Sequence, residues 1–252
     1  MEQEKILDIA VRTGSNLLRF GAEIYRAEDT ISRICKSYGL PCDAFALPTG
    51  VFVSVEGEKG VSTICKRISS RSVDLTKIAH LNDLSRRIEM NKPEYEVVIE
   101  ELDRIVKCGS YPNSITVVCF ALTAFVYALL FGGNRNDALS ALVVGTLLGF
   151  VRLVFSKGSS FPFVEYFVGG FAAGLLSSVA ATFLPHTNAY VVIIGAVTNM
   201  LPGVALTNGI RDLLYGDSIS GLARLGEALM VVAVIAAGTG IGLALWFYGG
   251  FS

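Results

Sequence analysis

The chain has 252 residues, of which 52% are hydrophobic and only 17% are charged, and its formal net charge is −1. Typical globular chains carry charge on about a quarter of their residues. A chain with this much apolar surface to bury is not intrinsically disordered. A net charge near zero provides no basic field for nucleic acid, so a nucleic-acid partner is not expected.

The charged residues are concentrated in the first part of the chain. Residues 1–110 contain 33 charged side chains, whereas residues 111–252 contain only 10. The first part has the composition of a water-soluble domain, and the second has that of a segment in lipid. We therefore predict a small cytoplasmic α+β domain over 1–110 and a transmembrane domain over 111–252.

Hydrophobic periodicity predicts the elements of the first domain. Apolar residues at three- and four-residue steps predict a helix over 7–21 and a second over 24–38, and two more helices are expected near 74–90 and 93–107. Between them, Val51, Val53 and Val55 alternate with other residues, which is typical of a strand. A turn at 48–50 precedes that strand, and residues 61–70 are its expected partner.

Five long apolar runs follow in the second domain. They cover residues 114–131, 138–155, 161–184, 189–206 and 227–249. Each is long enough to cross a hydrocarbon core of about 30 Å as a helix. None has the charged face expected of a helix on the surface of a soluble protein. The chain is therefore predicted to be an α-helical polytopic membrane protein with five transmembrane helices.

The distribution of basic residues predicts the orientation. The connections 156–160 and 207–226 carry or adjoin four basic residues, whereas 132–137 and 185–188 carry only Arg135. Basic residues favour the cytoplasmic side of a membrane. We therefore expect a multi-pass protein of the bacterial cell membrane, with the N-terminus in the cytoplasm and the C-terminus outside.

Charged residues within membrane segments are costly and are therefore functional candidates. Glu165 lies about one turn into the third span and Arg152 near the end of the second, so the two could form a structural ion pair or serve in proton or substrate handling. Glu227 begins the fifth span and could instead extend to the interface. Asp137 and Asp217 are expected in loops.

The fourth span is interrupted by Pro202 and Gly203, which weaken a helix at that point. The break is surrounded by neutral hydrogen-bonding residues and then by a charged pair: Thr198, Asn199, Thr207 and Asn208, followed by Arg211 and Asp212. In transporters, broken helices of this kind present free N–H groups to a carboxylate. A substrate site and a plain kink are both consistent with the pattern.

Glycine pairs four residues apart occur in three of the spans. They are Gly145/Gly149, Gly170/Gly174 and Gly238/Gly242. Such pairs allow the backbones of two helices to approach closely. They predict packing within the bundle or contacts between copies in a homo-oligomer.

Sequence motifs of enzymes are missing. The chain has no GxSxG, HExxH or Walker lysine pattern, and its five cysteines have no spacing typical of a metal site or a disulfide framework. A membrane-anchored hydrolase that uses Cys65, His80 and Asp74 is a third hypothesis. We therefore expect a protein that is not an enzyme and uses no metal or cofactor.

Several segments together resemble the threonine/serine exporter family of bacteria. They are SNLLRFGAEIYRAEDTISRI, LPTGVFVSVEG, LNDLSRRI, YPNSITVVCFALTAFVYALLFGG and MLPGVALTNGIRDLLYGDSISGLARLGEAL. The resemblance covers nearly the whole chain and is most specific in the first and last of these segments. More narrowly, the chain is similar to the N-terminal half-protein of the split version of that family.

The resemblance implies export of threonine and serine, or of C4 dicarboxylates such as succinate, driven by the proton-motive force. The family's membrane motif falls on Pro202, Gly203, Thr207, Asn208, Arg211 and Asp212, and its soluble-domain motif on Glu23, Arg26, Glu28 and Asp29. A solvated helix face would also account for the latter four. Asp212, Glu165 and Glu227 are the candidates to carry a coupling proton.

The chain has five predicted spans and lacks the second membrane half of fused family members. The resemblance therefore implies a second small membrane subunit as partner, and a homo-oligomer is also consistent with the sequence. The alternative function is a membrane-anchored ligand-sensing or regulatory module, in which the soluble domain binds a metabolite and the spans serve as an anchor.

Overall fold

The computed structural model describes residues 2–57, 60–109, 111–155 and 162–249. It divides into two compact units. The first contains Met1–Gly109 and Gly203–Glu227, and the second contains Ser110–Pro202 and Ala228–Ser252. The domain division predicted from charge, at residue 110, places 203–227 with the membrane part, whereas these residues pack within the first unit. The position of the domain border stays a prediction.

Four helices form most of the first unit. They are α1 (Gln3–Arg19), α2 (Ile24–Ser37), α3 (Leu75–Asn91) and α4 (Tyr95–Lys107). The apolar residues predicted to share a stripe form the core, and Leu17, Ile31 and Ile34 have no exposed surface. Asp74 caps α3 by accepting a hydrogen bond from the Lys77 N–H at 3.0 Å.

A three-stranded antiparallel sheet covers this core. Its strands are β1 (Cys42–Leu47), β2 (Gly50–Gly57) and β3 (Gly60–Arg67), in the order β1-β2-β3. Val51, Val53 and Val55 on the central strand are buried, while Phe52 between them is exposed. The alternation in the sequence therefore reflects the buried and exposed faces of β2. Strand β1, which precedes the predicted turn, was not predicted from the sequence.

The rest of the described chain is helical. It consists of α5 (Asn113–Leu130), α6 (Arg135–Phe155), α7 (Pro162–Phe183), α8 (Ala189–Val197), a 3-10 turn (Thr198–Met200), α9 (Gly203–Leu214) and α10 (Ser218–Tyr248). Among the described residues, α5, α6, α7 and α10 are long and apolar enough to cross a membrane. The helical segments Ala189–Met200 and Gly203–Leu214 meet at an angle of 62°. If this bent pair is one span, it is the fifth candidate to cross a membrane.

The expected helix break at Pro202 is present, but the expected connection over 207–226 is wrong. Helix α9 continues to Leu214, and α10 begins at Ser218, nine residues before the predicted start of the fifth span. The segment is amphipathic, and one face of α9 is buried through Asn208, Gly209 and Asp212. Its polar residues have partners inside the protein, which a hydropathy pattern does not register.

Asp137 was expected in a loop, and this expectation is also wrong. It lies in the first turn of α6 with 2% of its surface exposed. Its carboxylate accepts hydrogen bonds from the N–H of Asn134 at 2.8 Å and of Asn188 at 2.6 Å. Asp137 therefore fastens the start of α8 to the start of α6.

The glycine pairs lie where helices of the second unit touch one another. A Cβ atom on Gly145 would lie 2.8 Å from the Phe120 carbonyl oxygen of α5. On Gly174 of α7 it would overlap the Thr239 carbonyl of α10. Of the two interpretations left open by the sequence, these contacts support packing within the chain.

Candidate functional site

The candidate site surrounds the turn between α1 and α2. Gly21 has a φ of +91°, in the left-handed region that favours glycine. A Cβ atom there would lie 3.4 Å from the Ser72 carbonyl oxygen. This tight turn leaves the carbonyls of Gly21 and Ala22, and the N–H of Ile24, outside the hydrogen bonding of the two helices.

Side chains of α9 and α10 satisfy these backbone groups. Asn208 donates from Nδ2 to the Gly21 carbonyl at 2.8 Å. Arg224 donates from its guanidinium group to the Ala22 carbonyl at 2.7 Å. The polar face of the α9–α10 segment is therefore fitted to the backbone of a turn near the start of the chain.

Asp212 is the centre of this contact and has no exposed surface. Its Oδ1 accepts a hydrogen bond from the Ile24 N–H at 3.1 Å. Its Oδ2 lies 3.2 Å from Nε of Arg224, which is ion-pair distance without hydrogen-bond alignment. Arg224 is itself 7% exposed, so both charges are removed from water. Such a pair persists only while both partners are present.

A second carboxylate, Glu23, lies at the start of α2 with 6% of its surface exposed. It forms ion pairs with Arg26, whose Nε is 2.9 Å away, and with Arg211 of α9. The side chains of Arg26 and Arg211 are 36% and 48% exposed. This part of the site therefore faces outward, whereas Asp212 does not.

We call Glu23, Arg26, Arg211, Asp212 and Arg224 the turn cluster. It combines three guanidinium groups with two carboxylates, which leaves one positive charge in excess. Guanidinium groups bind carboxylates in a planar, two-pronged geometry. The half-exposed Arg211 is therefore placed to exchange its bond with Glu23 for one with an incoming carboxylate.

Two further contacts lie beside the turn cluster. Arg71 pairs with Glu227 at 2.5 Å, and the rings of Tyr25 and Tyr215 stack with centroids 4.2 Å apart. Glu227, a predicted proton-handling residue, is thus an exposed partner in an ion pair. Its side chain is 53% exposed.

The other residues of the soluble-domain motif have separate partners. Glu28 accepts a hydrogen bond from the Ala46 N–H at 2.7 Å. Burial raises the pKa of the Glu28 carboxyl, and the charges of Asp217 and Asp212 raise it further, whereas the hydrogen bond opposes this. Asp29 is exposed and pairs with Arg33. The expectation of a solvated helix face describes Asp29 but not Glu23.

The neutral residues around the helix break have partners in their own helices or units. The Thr198 hydroxyl donates to the Ile194 carbonyl at 2.6 Å, and the Thr207 hydroxyl donates to the Gly203 carbonyl at 3.0 Å. Asn199 donates from Nδ2 to the carbonyl of Phe120 at 3.2 Å.

Glu165 forms an ion pair with Arg152. This pairing is one of the two roles expected for Glu165 from the sequence. The Glu165 side chain is 11% exposed and that of Arg152 is 47% exposed. The pair links the end of α6 to the start of α7. It fulfils the structural interpretation, while a role in proton or substrate handling stays a prediction.

The structure thus divides the predicted site residues. In the first unit, Arg211 pairs with Glu23, which also pairs with Arg26. Asn208 and Asp212 bond the backbone of the adjoining α1–α2 turn. Thr198, Asn199, Pro202 and Glu165 belong to the second unit. Two residues of each motif, which lie almost 190 residues apart in the sequence, therefore meet in the turn cluster.

Sequence reasoning missed Arg224 and the turn backbone. In the sequence, Arg224 is one of the four basic residues in or beside the connections 156–160 and 207–226, and it predicts orientation only. Its signal was available, because residues 111–252 contain only 10 charged side chains and each is costly in or near lipid. The backbone carbonyls of Gly21 and Ala22 left no such signal.

Comparisons with known proteins now identify the family. The model of the threonine/serine exporter family, ThrE, matches residues 8–246. The chain therefore belongs to this family. Family membership together with the apolar helices supports a multi-pass membrane protein.

Similar proteins carry names of two kinds. A "Probable threonine/serine exporter" of Mycobacterium tuberculosis is 26% identical over 96% of this chain and 46% of its own length. A "Threonine/serine exporter" of Corynebacterium glutamicum is 23% identical over 95% of this chain and 51% of its own length. A "Probable succinate transporter subunit YjjP" of Escherichia coli is 19% identical over 97% of this chain and 96% of its own length.

The chain thus spans about half the length of the two exporters and nearly the full length of the transporter subunit. No solved structure matches the chain significantly.

Proposed function

We propose that this member of the threonine/serine exporter family is the membrane subunit of a secondary exporter for small metabolites that carry a carboxylate. The observation that carries the proposal is the turn cluster, in which both family motifs meet. A cluster with one excess positive charge and a half-exposed arginine is suited to an anionic group.

The proposed substrate contact is Arg211. Its guanidinium group is held by Glu23 in the absence of substrate, and the substrate carboxylate replaces Glu23. Thr207 and the start of α9 lie one to two turns earlier on the same helix, with Thr207 exposed. The Thr207 hydroxyl group would recognise a substrate hydroxyl or a second carboxylate. A role of Thr198 and Asn199 in substrate binding stays a prediction.

Among the three carboxylates considered for proton coupling, we propose Asp212. It is fully buried, whereas Glu227 is exposed and paired with Arg71. Glu165 is held by Arg152 in an ion pair that fits a structural role. Protonation of Asp212 would remove the charge that holds Arg224 and would loosen the contact between α9 and the α1–α2 turn.

We further propose five spans, with the N-terminus in the cytoplasm and the C-terminus outside. Helix α9 and the start of α10 belong to the unit that contains residues 1–109. Segments of one compact unit lie on one side of a membrane or at its surface. The chain between α7 and α9 must then cross the membrane, so α8 and the 3-10 turn are the spanning part of the bent pair.

We propose a second membrane subunit as partner. The chain matches about half the length of the exporters named above, and the similar protein of its own length is named a transporter subunit. A partner that corresponds to the remainder of those exporters would supply the second side of an alternating-access transporter. A homo-oligomer is the other way to complete the assembly.

The test is efflux from proteoliposomes that contain the purified chain, alone or with the candidate second subunit. The vesicles are loaded with labelled serine, threonine or succinate under an imposed proton gradient. We expect gradient-dependent efflux of at least one of these only when both subunits are present. Efflux from the chain alone would support a homo-oligomer.

Two variants test the residues. Arg211→Gln and Asp212→Asn are expected to abolish efflux, and Arg104→Gln and Glu100→Gln are matched controls on the exposed surface of α4. Normal efflux in Asp212→Asn would overturn its coupling role. Saturable substrate binding without efflux in any assembly would favour the alternative function, a membrane-anchored ligand sensor.

A further inference from the structure

We propose that a cleft on the first unit binds a small dianion, a short dicarboxylate or a phosphate group. The cleft lies between the end of α1 and the segment that follows β3, and its volume is about 250 Å³. Its lining includes the basic residues Arg19, Lys66 and Arg67 and the polar residues Ser69 and Ser70. This site is separate from the turn cluster.

The charges of the cleft are uncompensated. Within the described residues, no carboxylate lies within ion-pair distance of Arg19, Lys66 or Arg67, and none lines the cleft. Other arginines of this unit are paired, for example Arg12 with Asp8. Three cations around one cleft repel each other, and an anion with two charges removes that repulsion.

The cleft also offers neutral donors. Residues 68–74 form no helix or strand. In this segment the N–H groups of Ile68 and Ser72 are bonded to the carbonyls of Thr49 and Arg19, but in the described part of the chain those of Ser69 and Ser70 have no acceptor. Free N–H and hydroxyl groups beside guanidinium groups are the donors that carboxylates and phosphates accept from.

The volume limits the ligand. Pockets for drug-sized molecules measure roughly 300–1,000 Å³. A cleft of about 250 Å³ suits a molecule of a few carbon atoms or a single phosphate group. The charge requirement and the size together define the class as a small dianion.

The position of the cleft connects it to the turn cluster. The Ser72 N–H donates to the Arg19 carbonyl at 2.8 Å, and the Asp74 N–H donates to the Phe20 carbonyl at 3.1 Å. Arg71, the residue after Ser70, pairs with Glu227. A ligand held by Arg19 and Ser70 would fix the segment beside the α1–α2 turn. Control of transport by this ligand rests on the proposed function, but binding does not.

The experiment is equilibrium dialysis of the full chain in detergent with labelled phosphate and, separately, labelled succinate at low salt. We expect saturable binding of at least one anion, weakened by added sodium chloride. Replacing Lys66→Gln together with Arg67→Gln should raise the Kd at least tenfold. Arg86→Gln, an exposed cation of α3 away from the cleft, should leave it unchanged.

Further variants separate this site from the proposed transport site. Succinate bound in the cleft should be insensitive to Arg211→Gln, whereas succinate bound at the turn cluster should be lost. The proposal is overturned if neither anion binds saturably, if Arg86→Gln weakens binding as much as the cleft variants, or if only Arg211→Gln does. Circular dichroism of each variant checks that it is folded.

Discussion

The contact between Asp212 and Arg224 is the most demanding interaction at the scale of single residues. Both side chains are almost wholly withdrawn from water, which costs several kcal/mol for each ion. The cost is offset only because the Ile24 N–H and the Ala22 carbonyl supply further hydrogen bonds. Removal of one partner leaves the other as an isolated buried charge.

We therefore predict that Arg224→Gln lowers the free energy of unfolding by about 3 kcal/mol or more. The double variant Arg224→Gln with Asp212→Asn should cost less than the sum of the two single changes, because it leaves no unpaired charge. Thermal unfolding in detergent, followed by circular dichroism, gives the comparison.

The exposed pair of Arg104 and Glu100 is the control for that cycle, and its single variants should remain close to wild type. Additive losses at Asp212 and Arg224 would contradict the coupling between them.

Glu28 gives a prediction of pH dependence. Burial raises its pKa above the ordinary value of 4.5, so the folded chain holds this proton where the unfolded chain has released it. The resulting stabilisation is complete below the ordinary value and is lost as the pH rises through the raised pKa. Relative to Glu28→Gln, the wild type should therefore lose stability as the pH rises from the ordinary value through the raised pKa. Unfolding midpoints across that range test this, and a constant difference between the two proteins would contradict it.

At the scale of elements, the close contact of α7 with α10 depends on glycine. Gly170 and Gly174 of α7 lie against backbone carbonyls of α10, and Gly238 and Gly242 of α10 lie against carbonyls of α7. At these positions no side chain separates the backbones of α7 and α10. Small residues at both faces allow the backbone approach on which helix association in lipid depends.

Gly174→Ala is expected to destabilise the bundle by about 1–3 kcal/mol, because its methyl group would overlap the Thr239 carbonyl. Gly240→Ala is the matched control, since no atom lies within 4 Å of a Cβ atom there. The control should be neutral or stabilising by up to about 1 kcal/mol, as alanine favours helix over glycine. Unfolding midpoints in detergent measure both, and equal effects would show that this contact does not depend on glycine.

The fourth span shows how far local sequence determines an element. Pro202 and Gly203 predicted the break, because proline in the interior of an apolar helical run removes a donor and clashes with the preceding turn. The helix after the break was missed, since its polar face was taken for a loop. Asn208 and Asp212 are tolerated on a buried face because the α1–α2 turn satisfies them.

At the scale of the whole molecule, the number of spans decides the side on which the C-terminus lies. If the bent pair crosses the membrane, the connection 185–188 and the C-terminus lie on the same side. If the bent pair is instead a re-entrant loop, the connection 185–188 and the C-terminus lie on opposite sides of the membrane. The described structure has four helices that qualify alone and a fifth candidate in the bent pair.

We predict that His186→Cys and Tyr248→Cys both react with a membrane-impermeant maleimide added to intact cells. Both positions are exposed, and Tyr248 is 91% exposed. The background should carry serine at the exposed native cysteines Cys65, Cys108 and Cys119. Labelling of only one of the two positions before permeabilisation would contradict five spans, and labelling of neither would contradict the proposed orientation.

Properties that follow from local composition and periodicity are predictable from the amino-acid sequence. The apolar runs, the strand alternation of Val51, Val53 and Val55, and the break at Pro202 each depend on residues within a few positions of one another. The contacts of Asn208, Asp212 and Arg224 with the backbone of the α1–α2 turn are visible only in the folded chain. Such contacts join segments almost 190 residues apart through backbone groups that every residue possesses. No pattern in the chain distinguishes those groups until folding leaves them without partners.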